Sequence, residues 1–188
     1  MKKNVGVKPA IFPMPVLMIA TYNEDGSVDV MNAAWGMMVD TNRIALNLTE
    51  THKTVKNIKN RGAFTVSIAD IDHIKEADYV GIVSANNTSD KFIKSGLTEI
   101  KSENVDAPII DEFPITMECK FLEYQDNELG CGVIGEIVNV SIKEEILDSE
   151  GNIDILKINA IMYDPFTFGY YSVGKRVGNA FSDGKVLK

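Results

Sequence analysis

Gly130-Cys131-Gly132-Val133-Ile134-Gly135-Glu136-Ile137-Val138-Asn139-Val140-Ser141-Ile142 is the stretch whose reading decides the fold. Its first six residues spell G-x-G-x-x-G. A dinucleotide-binding fold needs a helix directly after those glycines, so that a pyrophosphate can rest on the helix N-terminus. Here the residues that follow alternate in the manner of a strand. The required context is missing, and the glycines read instead as a bulge or a close backbone approach within a strand. A doubly wound parallel sheet is therefore disfavoured.

Working outward, the neighbouring segments are also strand-like. Phe113 to Tyr124 precedes the glycine run and is joined to it by the turn Gln125-Asp126-Asn127-Glu128. Pro15 to Tyr22, Ser27 to Ala33, Trp35 to Val39 and Arg43 to Leu48 read as four more strands, the first two linked by Asn23-Glu24-Asp25-Gly26 with its Asp-Gly turn signal. Their short spacing predicts an antiparallel meander. A helix over Val55 to Arg61 follows, capped by Thr49 or Thr51 and stopped by Gly62. Ala63 to Ala69 alternates as a strand. Asp72 to Val83 and Asp90 to Ser95 read as helices, and Phe168 to Val173 as a last strand. The Gly-rich tail, residues 174–188, covers a partner or another edge. Strands with inserted helices, lacking β-α-β alternation, predict a small antiparallel barrel with added helices.

The chain has 188 residues, 45% hydrophobic and 24% charged. That predicts one soluble domain, residues 1–188, able to bury a core without staples. A net charge of −8 argues against sequence-independent nucleic-acid binding, which needs clustered Lys and Arg, and leaves room for a local basic pocket. No apolar run approaches a membrane span; Pro9, Pro13 and Pro15 break the first one. Two cysteines in no paired motif fit a reducing, cytoplasmic setting. Two His and two Cys without ligand spacing give no metal site.

One segment carries chemistry. Thr49-Glu50-Thr51-His52-Lys53-Thr54 stands between a strand and a helix. The first N–H groups of a helix are free and carry partial positive charge. Hydroxyls and basic groups added there suit an anion such as phosphate; the ordinary alternative is a capped helix start. Met31-Asn32-Ala33-Ala34-Trp35-Gly36 offers small residues for close approach of a flat ligand, an amide and the chain's only Trp; taken alone it is a strand bend packed by that Trp. Ser84-Ala85-Asn86-Asn87-Thr88-Ser89-Asp90-Lys91-Phe92 is a capped loop, or brings Ser84 or Lys91 to the same anion. Cys119 reads as a small buried hydrophobe. No Ser-His-Asp order suggests a triad, so no catalytic side chain is expected.

Taken in order, these pieces resemble the flavin reductase-like FMN-binding family, its flavoredoxin branch in particular. Pro13-Met14-Pro15-Val16, Asn32-Ala33-Ala34-Trp35-Gly36, Thr51-His52-Lys53-Thr54, Asp90-Lys91-Phe92, Met117-Glu118-Cys119, Gly135-Glu136-Ile137-Val138 and Tyr170-Tyr171-Ser172-Val173-Gly174 carry the resemblance over most of the chain. It implies a Greek-key-like split β-barrel, FMN as cofactor and a homodimer with FMN near its interface. It further implies that Asn32, Ala33 and Trp35 line the flavin ring and that Met31, Ala34 and Asn47 also bind the cofactor. Thr49, His52, Lys53 and Thr54 would hold ribityl and phosphate, Ser84 and Lys91 would complete the phosphate pocket, and Phe166 would approach the ring. Two activities follow from the resemblance: NAD(P)H-dependent flavin reduction, or electron carriage with a redox protein as partner and no NAD(P)H activity. Several relatives carry a His just before the Gly-Glu-Val strand, where this chain has Gly130-Cys131. That departure favours the carrier.

Overall fold

The computed structural model describes residues 1–126 and 130–188. The strands are β1 (Met14–Pro15), β2 (Leu17–Tyr22), β3 (Val28–Ala33), β4 (Gly36–Asp40), β5 (Arg43–Leu46), β6 (Ala63–Ile68), β7 (Glu99–Lys101), β8 (Pro108–Ile110), β9 (Ile115–Gln125), β10 (Gly132–Ile142), β11 (Ile161–Asp164) and β12 (Gly169–Ser172). The helices are α1 (Lys53–Arg61), α2 (Ile74–Ile82) and α3 (Lys91–Ser95). No helix among the described residues is long and apolar enough to cross a membrane.

Seven strands pair in the order β3-β2-β6-β9-β10-β5-β4, each pair antiparallel. Laid flat, six spacings of ~4.8 Å would set the two edges about 29 Å apart. Yet the edge strands β3 and β4 are joined by Ala34-Trp35 alone. Three Cα steps reach at most about 11 Å. The sheet is therefore rolled until its edges nearly meet, which is the expected antiparallel barrel. The expected meander is corrected here. It breaks at one step: β2 pairs with β3 and β4 with β5, but Ala34-Trp35 carries the chain across the seam to β4 instead of back along β3. Short strands that the sequence reading omitted, β7 with β8 and β11 between β1 and β12, make two side sheets.

Alternation along the strands builds two cores. Leu17 and Ile19 of β2 face inward with Ile44, Leu46, Phe64, Val66, Cys119 and Val133, and α1 plugs this interior with Val55 and Ile58. Val16, Met18 and Ala20 face outward with Val28 and Val30, under Ala77 and Val80 of α2. Cys119 is thus the small buried hydrophobe expected of it, and burial, then the Glu118 carboxylate, pushes its thiol up to about 12.

The glycine run behaves as a strand. Gly132 has φ +76°, and a Cβ there would lie 2.6 Å from the Leu46 carbonyl; at Gly135 it would lie 2.4 Å from the Phe64 ring. The register of β10 against β9 shifts at Ile134/Gly135, a bulge at the place where Phe64 crosses. The turn read at 125–128 lies in part outside the described residues.

Helix starts depart from expectation. His52, not Thr49 or Thr51, is the residue before α1, and it makes no side-chain cap. The second helix starts at Ile74 and not at Asp72; ahead of it, Asp70 Oδ1 accepts from the His73 N–H at 2.9 Å. Gly62 and Gly96 end α1 and α3 in the left-handed region, as expected.

Glu118 is buried in β9. Its Oε1 accepts from Asn139 Nδ2 at 2.6 Å, and its Oε2 accepts from Ser102 Oγ and, at 3.1 Å, from Asn104 Nδ2. Burial raises its pKa, but the three hydrogen bonds outweigh that and hold the carboxyl below its ordinary value. A carboxylate with a depressed folded pKa contributes stability above its unfolded pKa, and that contribution is lost as pH falls through the folded value. Glu118→Ala should cost about 1–2 kcal/mol in urea unfolding, since the buried Ser102 hydroxyl loses its acceptor. Glu118→Gln should lessen the loss of stability on acidification below about pH 4.

Candidate functional site

Strand β3 and the segment from Asn47 to Lys53 connect two hollows. At one end is a polar cleft of about 460 Å³, lined by Ser27, Asp29, Lys53, Thr88, Ser89 and Lys91 among others. At the other is an apolar slot of about 530 Å³, lined by Pro13, Met14, Ala34, Trp35, Asn47 and Cys131 among others. Residues 29 to 34, extended, separate the two by about 17 Å.

The cleft is built on a buried node. Asp29 of β3 is 2% exposed, and so is Thr54 in the first turn of α1. Thr54 Oγ1 donates to Asp29 Oδ2 at 2.6 Å. Lys91, buried at the start of α3, holds its Nζ 3.9 Å from Asp29 Oδ1. That is an ion pair but too long for a hydrogen bond, and Oδ1 has no hydrogen-bond partner. Burial pushes the Lys91 ammonium below its ordinary range, with the Asp29 carboxylate opposing. Lys91 thus lines the cleft without a described hydrogen bond to Asp29. One turn along α1, Asn57 Nδ2 donates to Thr21 Oγ1 at 3.1 Å and Asn23 Oδ1 at 2.9 Å. Two buried polar links thereby fix α1 against the β2–β3 hairpin, with its N-terminus beside the cleft.

The residues predicted from sequence divide into groups. Lys53 and Lys91 meet in the cleft. Ala34, Trp35 and Asn47 meet in the slot. Thr49 and His52 stand on the exposed turn between them, where the His52 N–H donates to the Thr49 carbonyl at 3.0 Å. Ser84 opens the following loop, and Asn86 Nδ2 of that loop donates to the Thr51 carbonyl at 3.2 Å, tying loop to turn. Met31 and Ala33 pack against the inner core. Asn32 Nδ2 donates to the Ala77 carbonyl at 2.7 Å, so its side chain docks α2. Phe166, 51% exposed, follows β11 and lines neither hollow.

Sequence reasoning missed Asp29 and the hydroxyls of Ser27, Thr88 and Ser89. An acid at an inward position of an apolar strand, Val28-Asp29-Val30, was the available signal for Asp29.

Residues 10–164 match the flavin reductase-like domain family. The chain is similar to the solved flavoredoxin of Desulfovibrio vulgaris (Miyazaki F), with 37% identity and a TM-score of 0.92 over 98% of this chain and 100% of that one. It is similar to flavoredoxin from Methanosarcina acetivorans at 24% identity and TM-score 0.86, over 100% of each chain. An FMN-binding domain of a flavin reductase-like enzyme from Shewanella baltica OS155 matches at 18% and TM-score 0.77, over 88% of each. The last two likenesses concern the fold.

The buried node alters what Thr54→Val should do. The sequence reading gives the Thr54 hydroxyl to the cofactor alone; the structure gives it to a buried carboxylate. Thr54→Val should therefore cost about 1–3 kcal/mol in urea unfolding, and Thr54→Ser, which keeps the donor, should retain most of that stability.

Proposed function

We propose that this chain, which belongs to the flavin reductase-like domain family, is a redox flavoprotein that binds FMN across the two hollows. The single observation that carries this reading is the pairing of an apolar slot with a cation-bearing cleft about 17 Å away along β3. FMN has that make-up: a flat apolar ring joined by a polyol to a phosphate.

The donor set fits the cofactor. Lys53 and Lys91 supply cations for a phosphate, and Ser27, Thr88 and Ser89 supply hydroxyls. First-turn N–H groups of α1 add partial positive charge. The orphan Oδ1 of Asp29 is an acceptor suited to a polyol hydroxyl. Thr49, His52 and Ser84 flank this end; Asn47 reaches the polyol side of the slot. Trp35 and Ala34 wall the ring and limit water, and the Pro13 to Pro15 segment closes the opposite side.

Bound FMN supplies the electron chemistry. The protein binds, orients and shields it, and no side chain is required as acid or base. NAD(P)H-dependent flavin reduction is the first reading. The second, an electron carrier reduced by a redox protein, is favoured by the 37% identity to a flavoredoxin and by Gly130-Cys131 in place of a His. We read the working unit as a homodimer, supported by Trp35, Met37, Met38 and Val39, apolar and exposed on and beside the edge strand β4. The free cysteines support a reducing, cytoplasmic setting.

The purified protein should show a flavin absorbance spectrum or take up FMN; a colourless protein that takes up none contradicts the proposal. Anaerobic bleaching by NADH or NADPH alone supports the reductase, and bleaching only with a reduced redox protein supports the carrier. Trp35 is 55% exposed, so Trp35→Ala should weaken FMN binding about tenfold while thermal unfolding moves little, near ±0.5 kcal/mol.

A further inference from the structure

Charge and apolar surface are distributed unevenly along this chain. Residues 1–12 carry Lys2, Lys3 and Lys8 and no acid; residues 174–188 carry Lys175, Arg176, Lys185 and Lys188 against Asp183. These ends hold seven of the 19 basic side chains and one of the 27 acidic ones, so the body between them is more acidic than the whole-chain charge of −8.

The C-terminal segment is also apolar where a solvated tail would be polar. Phe181 is 99% exposed, and Val177, Val186 and Leu187 are nearly as open. The segment nonetheless has a shape of its own. Arg176 binds the Gly178 carbonyl and Asn179 Oδ1, and Asp183 binds the Asn179 backbone and side chain. A short 3-10 turn closes it at Asp183–Leu187. Residues 174–188 are all exposed, and among the described residues the hydrogen bonds that shape residues 176–188 are the segment's own. Such a segment loses little conformational freedom on docking, while four open apolar side chains gain from being covered.

We propose that residues 174–188 are an arm that docks on the body of a second copy of this chain, with Phe181 as its anchor and its basic residues against the acidic surface. The occupant follows from charge: each copy offers a basic apolar arm and an acidic body, so the contact is reciprocal between two copies. The exposed apolar side chains of Met38 and Val39 on β4, which do not line the slot, give the arm a matching surface. This inference rests on the homodimer reading above and not on flavin binding.

Sedimentation velocity across a dilution series tests it in the full chain. The unaltered protein should dimerise, with a dimer Kd that rises in 1 M NaCl. Phe181→Asp should raise that Kd at least about tenfold, as should combined Lys175→Glu, Arg176→Glu, Lys185→Glu and Lys188→Glu. Phe181 touches no core, so the melting transition should not move. In the unaltered protein, tryptic cleavage at Lys175 and Arg176 should slow about tenfold or more as concentration passes the dimer Kd. A monomeric protein, a Kd unchanged in both variants, or cleavage independent of concentration overturns the proposal. Sedimentation needs no flavin, so failure of the arm and failure of the flavin reading are separately visible.

Discussion

The two residues between β3 and β4 constrain everything else. Ala34-Trp35 joins the opposite edges of a seven-stranded sheet, and so short a link forces the sheet to roll. The apolar slot lies at that seam, with Ala34 and Trp35 in its wall. One edge strand, β3, leads from the seam back to Asp29. The closure that makes the barrel therefore also sets the distance between slot and cleft.

Rolling leaves an interior to be filled, and α1 fills it. Val55 and Ile58 supply the apolar contacts, but apolar packing alone does not fix how the helix is turned. The Thr54–Asp29 and Asn57–Thr21 hydrogen bonds do, because buried polar groups must find partners in one orientation. Asp29 joins folding to function. It accepts the Thr54 hydrogen bond with one oxygen and attracts Lys91 with the other. Its charge also lessens the cost of keeping a buried ammonium beside the cleft.

Much of this was legible in the sequence. Glycines followed by a strand ruled out a dinucleotide fold, and alternation in Phe64-Thr65-Val66-Ser67-Ile68 marked β6. Lys53 and Lys91, far apart in sequence, were both expected near one anion, and they line one cleft. What was not legible depends on pairing across distance. The meander fails because strand order is a tertiary fact. The strands β7, β8 and β11 have four residues or fewer, too short for a period to register. Thr54 and Asn32 looked free because hydroxyls and amides declare nothing about partners 25 and 45 residues away.

The central claim is that the cleft holds the phosphate of a cofactor whose ring occupies the slot. Calorimetric titration at low salt with FMN and with riboflavin, which share the ring and polyol but differ by the phosphate, tests it most directly. The account predicts that FMN binds on the order of 100-fold tighter, and that Lys53→Met with Lys91→Met removes most of that difference while leaving riboflavin binding in place. Equal affinities for the two flavins, or an FMN preference that survives loss of both lysines, would contradict it.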